Sequence, residues 1–318
     1  MKDCHYDLLT YIFMNRENLE NVKKHCIDIF KNGITGGIFN LFYMSTREMQ
    51  EELSIQPEEI NIIENLKTVK QLIEKEKLIP ENVDYIIGIE GLDYLEKIED
   101  IDVLYSLGVK SVNPVWNNHN KFGTGVRPCN VINKEKGLTS LGKELILKLI
   151  KTGIAVDVSH SDEKTFWDII QICKANEKLK PKVLASHSNC KTICNVPRNL
   201  SDEQIKAIKE LDGIIGIVGV KDFCTKNDNV NIKQKYIQNI THIKQILGNV
   251  NNIAIATDDM SYYTIEPEYY QKANVFKQNR IDKEINKLLK QNKYTKNEIK
   301  QIKYKNFEKF FNIRKKLN

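Results

Sequence analysis

The chain has 318 residues, 41 % hydrophobic and 28 % charged, with 15 Gly and 7 Pro. That balance excludes a disordered, collagen-like or low-complexity chain, and no apolar run approaches the roughly 18 residues that a membrane span needs. The net charge is +6, but from Lys272 to Asn318 there are 15 Lys and Arg against 4 Asp and Glu, leaving 33 against 38 in the rest. Lys alternates there with apolar residues, the pattern of a solvated helix face. Neither the aromatic platforms nor the modules of a nucleic-acid site accompany it.

The N-terminal stretch Met1-Lys2-Asp3-Cys4-His5-Tyr6-Asp7 lacks the apolar core of a secretory signal, and the last residues are no lipid-anchor tail. Seven Cys, with no CxxC pair, suit reduced thiols. A cytoplasmic protein without a membrane partner is expected. No linker divides the chain, so residues 1–318 read as one domain.

Short β-branched runs alternate with amphipathic segments. Strands are predicted at Cys4–Leu9, Gly36–Phe42, Tyr85–Ile89, Ser111–Val115, Ile154–Val158, Val183–Ser186, Ile214–Val218 and Ile253–Ala256. Between them, Leu141, Leu145 and Leu149 recur at helical spacing, with Gly153 as the stop. Ser201 with Gln204, and Thr295 with Glu298, have the spacing of capping boxes. Ile281, Ile285, Leu288 and Leu289 form a further apolar stripe near the C-terminus. Eight strands, each followed by a helix or long connection, point to an α/β fold: a (β/α)8 barrel of the TIM type with extra C-terminal helices. A doubly wound open sheet is the competitor.

In such a barrel the chemistry sits where strands end and the following loops begin. His5 and Asp7 lie in the first strand candidate, two apart and so on one face. Glu90 ends the third, His160 follows the fifth, His187 ends the sixth and Asp258 ends the eighth. Each alone has a plain structural reading, as a core histidine, an ion pair or a helix cap. Packing gives no reason to gather three imidazoles and three carboxylates at one end of a barrel. Imidazole with carboxylate suits zinc, and the two oxygens of Glu90 are able to bridge a pair of metals.

The motifs carry a family resemblance. Asp3-x-His5-x-Asp7, Ile89-Glu90-Gly91, Gly137-Leu138-Thr139-Ser140-Leu141-Gly142, Asp157-Val158-Ser159-His160, Ser186-His187-Ser188-Asn189 and Pro197-Arg198-Asn199-Leu200-Ser201-Asp202-Glu203-Gln204-Ile205 occur in that order. They resemble the DxHxD, EG, GLTxxG, DVSH, SHSN and PRNLxDEQI segments of the membrane (renal) dipeptidase family of zinc metallopeptidases. The resemblance runs over nearly the whole chain and implies a (β/α)8 barrel. It implies two Zn2+ per chain, one held by His5 and Asp7, the other by His160 and His187, with Glu90 bridging them in a catalytic role. It further implies that a metal-bridging hydroxide attacks the peptide bond of a small dipeptide. Arg198 would bind the free C-terminal carboxylate and Asp258 would handle protons; without the family, Arg198 reads as a salt bridge at the start of a helix.

The pocket is individual. Trp116 stands where animal relatives carry a His that contacts the reacting carbonyl, and His119 lies nearby. Val218-Gly219-Val220-Lys221-Asp222 replaces an Asn-Phe-Tyr segment, Thr257-Asp258-Asp259-Met260-Ser261 replaces SDFDG, and the stretch 45–52 is short. These departures keep two alternatives open: a barrel hydrolase for one specialised small amide, such as a Cys-Gly conjugate, and a non-catalytic binding protein. A homodimer is allowed, and no nucleic-acid partner is expected.

Overall fold

A computed structural model describes residues 1–42, 60–127, 136–258, 274–276 and 281–313. Asp259 and the stretch 45–52 lie outside them. Eight strands form: β1 Asp3–Tyr6, β2 Gly36–Phe42, β3 Asp84–Glu90, β4 Val109–Asn113, β5 Ala155–Asp157, β6 Val183–Ala185, β7 Ile214–Val218 and β8 Ile253–Ala256. All neighbours are parallel and follow chain order, and β8 pairs with β1 through Ile255 and Asp3. That pairing closes the barrel and excludes the open sheet.

The predicted strands are all present: β2, β7 and β8 match to the residue, β3, β5 and β6 differ by one residue at one or both ends, and β1 and β4 shift further. β4 lies two residues earlier than expected, because Pro114 has no N–H to give to a ladder. β1 ends at Tyr6, and Asp7 already occupies the position before the helix Leu8–Met14. β1 also holds one residue more than β2 between paired positions: Asp3 pairs with Gly37 but Tyr6 with Phe39. This bulge breaks the two-residue alternation. Cys4 joins the barrel interior, His5 faces Glu90 and His187, and Tyr6 joins the outer core.

Elsewhere alternation holds. Ile38, Ala155, Leu184, Ile214 and Ala254 point inward, while Phe39, Val156, Ala185, Ile215 and Ile255 pack against the helices. Two residues on from Ile38, Ala155 and Leu184, toward the C-terminal mouth, the same parity brings Asn40, Asp157 and Ser186, all buried. The inner lining therefore changes from aliphatic to polar along the strands. Phe307 joins the inner cluster from below, and Asn306 Nδ2 donates to the carbonyls of Val250 and Ile253 at 2.6 and 2.8 Å.

Both capping boxes form, at Ser201/Gln204 and Thr295/Glu298. Gly153 ends the helix Ser140–Thr152 in a left-handed conformation. One expectation is corrected there: Leu145 and Leu149 are buried with Ile146 and Ile150, but Leu141 is 39 % exposed. At the first turn, the core-facing position belongs to Gly142, where a Cβ would lie 1.8 Å from the Phe122 carbonyl oxygen. In the helix Ile281–Gln291, Ile281, Ile285 and Leu289 are buried and Lys283, Lys287 and Lys290 are exposed, the solvated face that the sequence suggests. No described helix is long and apolar enough to cross a membrane.

Candidate metal centre

The C-terminal mouth collects the candidate ligands from five strands. Glu90 is the last residue of β3, and its oxygens face two ways. Oε1 lies 2.6 Å from His160 Nε2 and 3.2 Å from His187 Nε2, while Oε2 lies 3.3 Å from His5 Nε2. On the second side, His5 Nε2 is also 3.4 Å from Asp7 Oδ1 and 3.9 Å from Asp258 Oδ1. Two groups of ligand atoms converge within 4.8 Å, His5–Glu90–His187 and His5–Asp7–Asp258. His5 and Asp7 do meet, although the bulge and the start of a helix bring them together rather than strand alternation. Asp258 comes close enough to join a ligand set, which the sequence reading did not assign to it.

The electrostatics suit a bound cation. His160 Nδ1 faces Asn117 Oδ1 at 2.9 Å. The Asn117 backbone N–H lies farther from the same Nδ1, at 3.4 Å; a hydrogen on Nδ1 directed at the nearer Oδ1 leaves the lone pair of a neutral ring on Nε2. That Nε2 lies 2.9 Å from His187 Nε2. Burial first, with Arg198 adding to it, pushes the His160 pKa down to about 3. Burial, His5 and Arg198 hold His187 far below the usual imidazole value. Burial would also lower His5, yet Glu90 and Asp7 keep it well above normal. Burial would raise Glu90, but His5, His160 and His187 together hold it ionised. His5 Nε2 and Glu90 Oε1 are buried without a hydrogen-bond partner among the described residues. Converging imidazole lone pairs and carboxylate oxygens, short of donors, fit divalent metal ions.

Two further groups complete the mouth. Asp258 has a left-handed backbone, φ 45°, and its N–H donates to the His5 carbonyl at 3.1 Å. The preceding Thr257 gives its N–H and O–H to the buried carboxylate of Asp3, at 2.9 and 2.5 Å, which ties the end of β8 to β1. Burial, with His5 opposing and Asp7 and Glu90 adding, lifts Asp258 to about 7. Arg198 enters ahead of the helix Asp202–Glu210. Its Nη2 lies 3.1 Å from His160 Nε2, while Nη1 is buried and unpartnered among the described residues. It makes no described ion pair with that helix, so the salt-bridge reading of Arg198 fails.

Trp116 stands beside the centre, its ring 5.7 Å from His160 and 4.8 Å from Phe42. His119 is half-buried in the same loop and belongs to neither converging group. Sequence reasoning missed Asn117, Asn40, Asp157, Ser159 and Ser186, which contact the ligands or one another. The last three lie inside the quoted DVSH and SHSN segments, and Asn40 has the inward parity of β2. Asn117 carries no such signal.

The family model for membrane dipeptidases, peptidase family M19, matches residues 2–317. The chain belongs to this family. Among curated members of related sequence, a protein of Acinetobacter calcoaceticus is 31 % identical over 54 % of this chain and 51 % of its own length. One of Klebsiella pneumoniae is 32 % identical over 55 % of this chain and 64 % of its own. An uncharacterized dipeptidase of Schizosaccharomyces pombe is 28 % identical over 51 % of this chain. The matches thus span 38 to 64 % of these relatives' lengths. A solved metallopeptidase from Rhodobacter sphaeroides superposes with a TM-score of 0.74 at 19 % identity, over 98 % of this chain and 97 % of its own. The M19 dipeptidase AC gives 0.71 at 19 % identity, over 96 % of each chain. At that identity the likeness concerns the fold, and it extends through the C-terminal helices of this M19 chain.

Proposed function

We propose that this M19 protein is a dinuclear zinc dipeptidase, acting on dipeptides with a free C-terminal carboxylate. The observation that carries the reading is Glu90, whose Oε1 faces His160 and His187 while its Oε2 faces His5, itself beside Asp7. His5 and Asp7 would hold one zinc, His160 and His187 the other, and Glu90 would bridge. Zinc held there would lower the pKa of a water to give a nucleophile at neutral pH and would polarise the scissile carbonyl.

The chain's own groups do the rest. Arg198 Nη1, buried and unpartnered among the described residues, offers a donor to the substrate carboxylate, and burial in this wall strengthens a charge-assisted pair. Asp258 Oδ1 takes a proton from the attacking water and returns it to the leaving amine, which cannot depart as an anion. A pKa near 7 suits a group that must both accept and donate. Trp116 walls the pocket beside His160. The solved Rhodobacter sphaeroides relative carries a phosphinate mimic of L-Ala-D-Ala, which supports a dipeptide as the substrate class. The experiment is a panel of dipeptides presented to the zinc-loaded protein as free acids and as C-terminal amides, read by mass spectrometry. Cleavage of free acids with little cleavage of amides is expected. Equal cleavage of both removes the carboxylate from recognition, and no cleavage of either supports the binding-protein alternative.

A further inference from the structure

We infer that one hydroxyl, Ser186 Oγ, sets the ring orientation of a ligand on each side of the centre, and the tautomer of His187. The inference rests on the reading of His5 and His187 as metal ligands. Ser186 Oγ lies 2.7 Å from His187 Nδ1 and 3.2 Å from His5 Nδ1, and the two rings are 3.7 Å apart between centroids. All three residues are buried to within 1 % of completely.

Counting hydrogens gives the bonds behind His187 one consistent set of directions. The chain of contacts begins at Asp157, a buried carboxylate that only accepts. Its Oδ1 receives the Ser159 N–H at 3.1 Å, the Ser186 N–H at 3.0 Å and the Ser159 O–H at 2.7 Å. With its hydrogen committed there, Ser159 Oγ has two lone pairs to fill. The His187 N–H at 3.1 Å takes one, and the Ser186 hydroxyl at 3.3 Å takes the other. The hydrogen of Ser186 is then spent, so toward the rings its oxygen only accepts. His187 then carries its hydrogen on Nδ1 and presents its Nε2 lone pair to the centre, as metal binding needs, while the same oxygen braces the ring of His5. Asn40 meets His5 Nδ1 from the other side at 2.9 Å through its amide nitrogen, so Ser186 shares the His5 ring with a second group; no second group is described on His187 Nδ1. His160 is oriented independently, by Asn117.

Ser186 is thus a positioning residue shared between the two metal sites, with Ser159 and Asp157 behind it. The test compares the parent with Ser186→Ala, Ser159→Ala and Asn40→Ala. Zinc affinity is measured by chelator competition, and the cobalt(II)-loaded proteins are read by proton NMR for their exchangeable, metal-shifted imidazole N–H signals. In the parent, signals from His5, His160 and His187 are expected. Ser186→Ala should weaken both metals, by roughly 10–100-fold for the one on His187. It should speed exchange of the His5 and His187 signals and leave that of His160 in place. Ser159→Ala should act in the same direction but less, and Asn40→Ala should affect only the His5 side. Unchanged affinity and signals in Ser186→Ala overturn the inference, as does movement of all three signals together, which marks general loosening. If Ser186→Ala fails to fold, Ser159→Ala carries the same outcomes. A parent that binds no cobalt overturns the metal reading and this inference with it; a parent that binds two while Ser186→Ala behaves identically overturns this inference alone.

Discussion

Asp258 lies beside His5 and Arg198 beside His160, and the proposed reaction gives them different work. Asn at 258 keeps the shape of the side chain but cannot carry a proton, and general acid–base help is worth about 10²–10⁴-fold. Asp258→Asn should therefore lower kcat by that order with zinc content retained. Loss of a zinc ion instead would reassign Asp258 as a ligand, as its convergence with His5 and Asp7 allows. Arg198→Met removes a buried charge that would face the substrate carboxylate. It should cost on the order of 2–4 kcal/mol in kcat/KM for free-acid dipeptides. Amidated dipeptides should change little and metal content not at all. Parent-like kinetics on free acids would leave Arg198 a purely structural role. At this scale the ligand residue types were legible in the sequence, because imidazole and carboxylate at strand ends lack a packing explanation. Their supports were not: a Ser or Asn is too common for its type to signal a role, and only the folded network distinguishes Ser186 from other serines.

The helix Leu19–Lys31 offers a pH test of element packing. His25 on its inner side stacks on Tyr11 with 4.1 Å between ring centroids and meets the Tyr6 hydroxyl at 3.3 Å. Burial, opposed by Asp28, pushes its pKa from 6.5 down to about 4. Between those values the unfolded chain binds a proton that the folded chain refuses. Stability should fall as pH drops from about 6.5 to about 4. His25→Gln should flatten that part of the urea-unfolding profile, and parallel profiles for parent and variant would refute the assignment. Elements were the most legible scale. All eight strands and both capping boxes were visible, since alternation and cap chemistry are local. The bulge in β1 was not, because it depends on pairing with β2, some thirty residues away. It is this bulge that turns His5 to the centre after Cys4 has already turned inward. The end of β4 was displaced for a local reason, Pro114, that the flanking valines Val112 and Val115 concealed.

Across the whole molecule, the barrel divides its labour along its axis. The lower interior is aliphatic and plugged by Phe307 from the C-terminal helices, and the mouth is polar and concentrates ionisable groups that burial would otherwise penalise. A cation bound only by the folded state offsets that penalty and adds stability by mass action. Chelator treatment should therefore lower Tm reversibly, with zinc restoring it; an unchanged Tm would separate the centre from folding stability. The order of the motifs made the family legible, whereas the metal count rests on how Glu90 is presented. Elemental analysis of the protein loaded with zinc and then mildly dialysed tests that directly. Two zinc ions per chain in the parent, falling to one or none in Glu90→Gln, is the predicted result. Fewer than about one per chain in the parent, with zinc supplied, would contradict a dinuclear centre at this mouth.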